Sequence, residues 1–458
     1  MKPTTKDAYN LLHDGSLVLS RIEEAGIRID TKYLDSSIRK TAKMIKVGEE
    51  KLMASSIYNT WVKEYGRKTK LSSRVQLGHI VFKVMGHPCS EFTPGGKPRV
   101  TEETLLSVDE PFINNYLRVE KLKKLKNSYL TGIKRETVNG FLHSNYNLHT
   151  VPTYRGSCSA PNFQNIPVRD PKAAELIRRC FIPRDNHRLV EIDYSEIEVR
   201  ILASYHKDPD MIEYIEDPSR DMHRDAASEC FMCENEDVTK DLRQCGKNMF
   251  VYPQFYGSYY RLCAGKLWDA MERMDLNVGI VPMRIWLKDK GIAQLGNTEA
   301  GGAIRKSDYV YHLKLVEDRF WKRFPVFYRW KEIRYAQYRK EGKFSTLTGF
   351  TQKGIYSKSD VINHPIQGTS FHCLLWTLIH LHKWLTGTKK KTVIVGQIHD
   401  SIVADVRINE FDEYVKVARR IMTEDISLDW SWLIVPLEVG VEACGRGETW
   451  NDMKEVEL

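Results

Sequence analysis

Leu189-Val-Glu-Ile-Asp193 reads as a buried strand ending on an aspartate, and a helix follows at once from Ser195-Glu-Ile-Glu198-Val-Arg200. A second aspartate stands in Gln397-Ile398-His399-Asp400-Ser401, between the strand-like runs 392–397 and 401–406. Those two runs predict a hairpin, although the usual Asn-Gly turn is missing. A lone aspartate at a strand end is ordinarily a cap or a turn former. Two of them on separate strands can instead hold a pair of divalent cations for phosphoryl transfer.

The bulk numbers are compatible with that chemistry. The chain has 458 residues, of which 42% are apolar and 28% charged, so two or three lobes with real cores are expected. A net charge of +9 suits a polyanionic partner without proving one. Residues 1–30 carry no secretory signal. No run approaches the roughly 18–20 apolar residues that span a bilayer, so no membrane partner is expected and the protein should be soluble and intracellular. The nine cysteines are odd in number and follow no disulfide rhythm, which predicts reduced thiols. Cys230-Phe-Met-Cys233 lacks a second ligand pair at finger-like spacing and predicts core thiols rather than zinc.

Along the chain, residues to about 140 read mainly as helix. Leu17, Leu19, Ile22 and Ala25 recur at helical spacing before Gly26 ends the run, and a second helix runs from Phe112 to Tyr129. Its lysines 121, 123, 124 and 126 read first as a solvated face. Phe141-Leu-His-Ser-Asn-Tyr146 predicts a short strand. Residues 206–340 return to helix, broken at Asp217-Pro218, Gly257 and the loop from Gly296 to Gly302. Within them Arg243 and Lys247 are four apart, share a helix face and can clasp a triphosphate together.

In this order, Asp193–Arg200, Arg243–Tyr256 and Gln397–Ser401 resemble motifs A, B and C of the family A DNA polymerases. The resemblance implies an α+β right-hand fold whose palm is built on an antiparallel sheet. Residues 1–140 are then a thumb-like helical segment, 141–205 the first part of the palm, 206–340 the fingers, and 341–458 the second part of the palm. It implies template-directed addition of deoxynucleotides to a primer 3′ end. Asp193 and Asp400, with the Tyr194 carbonyl, would hold two Mg²⁺ ions, for which Mn²⁺ can substitute. Asp193, Asp400 and Lys247 are the catalytic set, and Arg243, Lys247, Tyr252, Tyr256, Glu198 and His223 the nucleotide-binding set, with Glu198 closing off the sugar 2′ side. Arg155, Arg178, Asn363, Gln367 and His399 would meet DNA, as would Lys123, Lys124 and Lys126 at a thumb tip. The implied partners are primer-template DNA and dNTPs, with room for a separate exonuclease, helicase or processivity factor.

Four departures from the family pattern carry expectations of their own. The aromatics fall five and nine residues past Lys247 instead of four and eight. One extra residue turns a regular helix by about 100°, so a π-bulge or kink is expected between about Phe250 and Tyr252, beside Pro253. Ser401 stands where most relatives have a glutamate, Glu196 replaces a glutamine, and Tyr154 replaces a glycine. Ser195 and Glu198 are also spaced as a capping box. The His-Asp-Ser form occurs in single-subunit RNA polymerases as well, and Glu198 argues against that alternative. A basic DNA-binding scaffold without catalysis is the reading from another class. The thumb-like segment starts within about twenty residues of Met1, so no proofreading exonuclease is expected. The cellular setting follows the source: a host cytoplasm for a phage protein, or an organelle.

Overall fold

Asp193 and the turn that carries Asp400 belong to one sheet of five strands: β1 His187–Tyr194, β2 Val393–Ile398, β3 Ser401–Arg407, β4 Val439–Ala443 and β5 Lys454–Glu455. The computed structural model from which this is drawn describes residues 3–89, 91–93, 95–168 and 170–457. The strand order is β2-β3-β1-β4-β5 with every neighbour antiparallel. Leu189, Val190 and Ile192 are buried, which keeps β1 in the centre and fixes its register. Asp193 pairs with Ser401 on one side and Gly440 on the other. Ile398 pairs with Ser401, leaving His399-Asp400 as a two-residue turn. The hairpin forms without Asn-Gly because His399 itself takes the positive φ of 52°.

The helices that position the site are α1 Thr5–Ala25, α2 Thr31–Met53, α3 Pro111–Lys124, α4 Pro171–Arg178, α5 Ile197–His206, α6 Met222–Phe231, α7 Lys240–Cys245, α8 Tyr252–Phe255 and α9 Lys358–Gly387. Helix α9 is buried on nearly every face, as expected of a helix with no polar stripe. It packs against α5 and α1. A Cβ at Gly15 of α1 would come within 2.6 Å of Leu375 on α9, so the glycine sets that approach.

Residues 1–140 divide between cores. Val18, Leu19 and Ile22 of α1 share a core with Val190, Ile192 and Leu374, whereas Leu52, Trp61, Phe112 and Tyr116 build a separate one around α2 and α3. A thumb-like segment over 1–140 therefore groups α1 with helices it does not pack against. The expected strand at 141–146 is two pieces, Phe141–Leu142 and Asn145–Asn147, on different sheets. Cys230 and Cys233 are free, buried thiols, as core cysteines should be.

Candidate active site

The strand β1 and the β2–β3 turn bring the two aspartates together. The Tyr194 N–H donates to the Asp400 carbonyl at 3.3 Å, tying the strand end to the turn. Buried Gln397 holds the turn from beneath. Its amide donates to the His399 carbonyl at 2.6 Å and accepts from Gln164 at 2.7 Å, while its backbone N–H donates to the Tyr146 hydroxyl at 3.0 Å. The Asp193 side chain keeps an exposed edge, yet desolvation by the surrounding protein, then Asp400, Glu191 and Glu442, push its pKa well above the carboxylate range. Burial likewise raises Asp400, against Arg155. Two carboxylates that repel one another beside backbone carbonyls form the all-oxygen donor set that hard divalent cations take.

Facing them is the helix that begins as α7. The Tyr252 N–H bonds to the Lys247 carbonyl, five residues back, and Gly246–Val251 forms a π-turn between α7 and α8. The distortion expected near Phe250–Tyr252 is thus present and starts earlier. It absorbs the extra residue and places Pro253, which has no N–H to donate, just beyond the wide turn. Gly246 is required here, because a Cβ would lie 2.6 Å from the His223 carbonyl on α6. As a result the Lys247 ammonium lies 5.5 Å over the Tyr252 ring. Tyr252 and Tyr256 stack with centroids 6.1 Å apart, and His223 stands 5.7 Å from Tyr252.

Two glutamates of β1–α5 meet this face. The helix starts at Ile197 with Glu196 as a left-handed cap residue, φ 51°, and no side-chain cap. The capping box expected between Ser195 and Glu198 does not form, because the left-handed turn at Glu196 delays the helix start. Glu198 instead accepts a hydrogen bond from the Tyr256 hydroxyl and lies 3.6 Å from Arg155. The aromatic that touches Glu198 is therefore Tyr256, with Tyr252 stacked behind it. Glu196 Oε1 lies 3.0 Å from His223 Nε2, off the line of a hydrogen bond, and 3.7 Å from Arg243. The His223 ring, then Lys247 and Arg243, hold the Glu196 carboxyl below its usual range. Arg243 is also clamped by Asp221 at 2.6 Å. A pocket of about 370 Å³ is lined by Glu196, Asp221, His223, Arg224 and Arg243.

On the other side of the turn a cleft of about 740 Å³ runs between α3 and the sheet, lined by Lys121, Lys124, Tyr129, Gln164, Arg178 and His399. Arg178 lies 4.5 Å over the Trp450 ring, and burial with the nearby Arg155 lowers the His399 pKa. Lys124 is exposed and Lys126 half-buried. Lys123 differs from the expectation: it bridges Glu49 at 2.9 Å and Glu120 at 3.0 Å, so its charge is engaged inside the helix pair α2–α3. On α9, Asn363 Oδ1 is buried without a hydrogen-bond partner among the described residues, and Gln367 is half-buried on the next turn. Tyr154 sits at φ 61°, the region its expected glycine would favour. Its ring packs on Phe350 at 4.9 Å, which holds the residue before Arg155 in that conformation. Two acids outside the expected set also stand beside these groups: Asp221, which pairs with Arg243, and Glu191, which accepts from Ser401 and Trp450. Asp221 was visible two residues before His223, and Glu191 two residues before Asp193.

The family model for DNA polymerase family A matches residues 41–268 and 314–452. The chain belongs to the family A DNA polymerases. Its sheet and helices are the palm and surrounding lobes of that right-hand α+β fold. Family A polymerases are metal-dependent enzymes, in keeping with the carboxylate pair. The thermostable DNA polymerase I of Thermus thermophilus is 26% identical over 457 residues, covering 96% of this chain and 48% of that protein. DNA polymerase I of Pseudomonas aeruginosa is 26% identical over 95% of this chain and 43% of its own length. The chain thus spans just under half of these curated relatives. In fold it resembles the POL domain of Pol1 from M. smegmatis, solved in complex with DNA primer-template and dNTP. The TM-score is 0.74 at 23% identity, covering 96% of this chain and 70% of that one. Among the described residues no helix is long and apolar enough to cross a membrane.

Proposed function

We propose that this polymerase extends a DNA primer with deoxynucleotides selected by a template strand. The observation that carries the reading is the joint placement of Asp193 and Asp400 opposite Arg243, Lys247 and Tyr252, with Glu198 between. Asp193, Asp400 and the Tyr194 carbonyl would hold two Mg²⁺ ions, which Mn²⁺ can replace. When bound, such ions neutralise phosphate charge and make the primer 3′-hydroxyl a better nucleophile. The transfer joins the 3′-oxygen to the α-phosphorus and breaks its bond to the β-phosphate oxygen, releasing pyrophosphate. Arg243 and Lys247 neutralise the triphosphate along one face, with His223 at its edge. Tyr252 offers a ring for the base, and Glu198, pinned by Tyr256 and Arg155, fills the space a ribose 2′-hydroxyl would need.

Primer-template DNA fits the α3 cleft, with Lys124, Lys126 and Arg178 toward phosphates. Arg155, Asn363, Gln367 and His399 lie toward the minor groove, whose acceptors are shared by all base pairs. Residues 1–140, 206–340 and the two flanking stretches serve as thumb, fingers and palm, with α1 assigned to the palm by its packing. An intracellular setting follows from this substrate. Primer extension with dNTPs, then with rNTPs, tests the reading. Asp193→Ala and Asp400→Ala should abolish extension while leaving primer-template binding largely intact, since phosphate contacts dominate affinity. Substantial extension by either variant refutes it, and a preference for rNTPs would favour the RNA-polymerase reading.

A further inference from the structure

Two residues before Asp193 on β1, and so on the same face of the sheet, Glu191 presents a carboxylate that the mechanism above does not use. The register sets Asp193 beside Ser401 and Glu191 beside Val403, with Glu442 across from Glu191 on β4. The Ser401 hydroxyl donates to Glu191 Oε1 at 2.7 Å, and the Trp450 indole N–H donates to Oε2 at 3.0 Å. Both donors are fixed in place: Ser401 is 2% exposed and Trp450 fully buried. Trp450 is in turn held by Phe163, stacked at 5.2 Å, and by Arg178 over its ring.

Glu191 thus stands one pleat from Asp193, and Ser401, the cross-strand partner of Asp193, is the residue that hydrogen-bonds it. Another acid beside two carboxylates that already repel is unfavourable in the empty protein. The same charge becomes favourable once divalent cations are present, because it strengthens their attraction to the site. Ser401 is also the side chain that a carboxylate at 191 requires. A glutamate at 401 would press its own carboxylate against Glu191, like charge on like, where the serine supplies a hydrogen bond.

We propose that Glu191 is the accessory carboxylate of the polymerase metal site, standing in for the glutamate that position 401 lacks and positioned by Ser401 and Trp450. The proposal rests on the reading of Asp193 and Asp400 as metal ligands. It is tested with Glu191→Ala, Ser401→Glu and the double variant, comparing Mn²⁺ binding to the protein–primer-template complex by electron paramagnetic resonance, single-nucleotide incorporation, and thermal stability. Glu191→Ala should weaken Mn²⁺ binding and turnover by roughly 10–100-fold, the usual cost of losing a supporting group at a metal site. Ser401→Glu alone should also weaken both, whereas the double variant should recover most of the loss.

Wild-type Mn²⁺ binding and turnover in Glu191→Ala would overturn the proposal. So would a double variant no better than Glu191→Ala. If Glu191→Ala does not fold, Glu191→Gln keeps the shape without the charge, and undiminished Mn²⁺ binding in that variant overturns the proposal equally. Failure of the underlying reading is distinguishable, because Asp193→Ala would then bind Mn²⁺ as the wild type does.

Discussion

Replacing Glu196 by glutamine should tighten nucleotide binding. The carboxylate lies 3.7 Å from Arg243 and 3.0 Å from the His223 ring, where an incoming triphosphate would need those same groups. At that distance the Arg243 attraction is about 1 kcal/mol with the dielectric of water and about 4–5 kcal/mol at the lower value used near a protein surface. Glu196 is 41% and Arg243 33% exposed along their side chains, so the smaller figure applies, within the range of about 0.2–1 kcal/mol typical of exposed pairs. Removing the charge while keeping the shape should therefore lower the KM for dNTP by about 5-fold. The assay is single-nucleotide incorporation on a fixed primer-template, with dNTP titrated for both proteins. The gap should narrow at 1 M salt, where the screening length falls to about 3 Å. An unchanged or higher KM in Glu196→Gln would refute the argument that this carboxylate competes with the nucleotide.

Further outcomes follow from the same geometry. Glu198→Ala frees the Tyr256 hydroxyl and Arg155 and should raise ribonucleotide relative to deoxynucleotide incorporation, measured by competing the two on one template; an unchanged ratio places the sugar gate elsewhere. Because the native pKa of Asp193 is raised, the folded protein holds that proton more tightly than the unfolded chain, and metal-free stability should fall as pH rises from about 4 through the native value. Asp193→Asn should thus show a melting-temperature advantage in EDTA that grows with pH, and a pH-independent advantage would contradict the repulsion described.

What could be read from sequence was whatever is local. Asp193 and Asp400 were legible because a strand end and a two-residue turn are set by neighbours in the chain. Arg243, Lys247 and the distorted helix were legible because helix periodicity turns a one-residue excess into an angle. Long-range register was not. Nothing in the run from Leu189 to Asp193 says that β3 will set Ser401 within hydrogen-bonding distance of Glu191, and only the pairing decides it. Lys123 looked like its lysine neighbours until Glu49, on another helix, arrived beside it. The packing of α1 on α9 joins residues some 360 positions apart (Gly15 and Leu375), and no period within either helix encodes it. The box expected of Ser195 and Glu198 failed for a local reason, the left-handed backbone at Glu196.

The wide turn at Gly246–Val251 also bears on how this stretch can change length. An ordinary helix that gains or loses a residue rotates everything beyond it, and a protein rarely survives that at its active face. Here the additional residue is looped out within one turn, and Arg243 and Lys247 before it, like Tyr252 and Tyr256 after it, keep the faces they need. Deleting the exposed Asn248 would close the turn to regular helical spacing but leave Pro253 inside a continuous helix, where it has no N–H to give and crowds the carbonyl four residues back. The wide turn is thus what lets one additional residue and a proline share this stretch without moving the groups on either side.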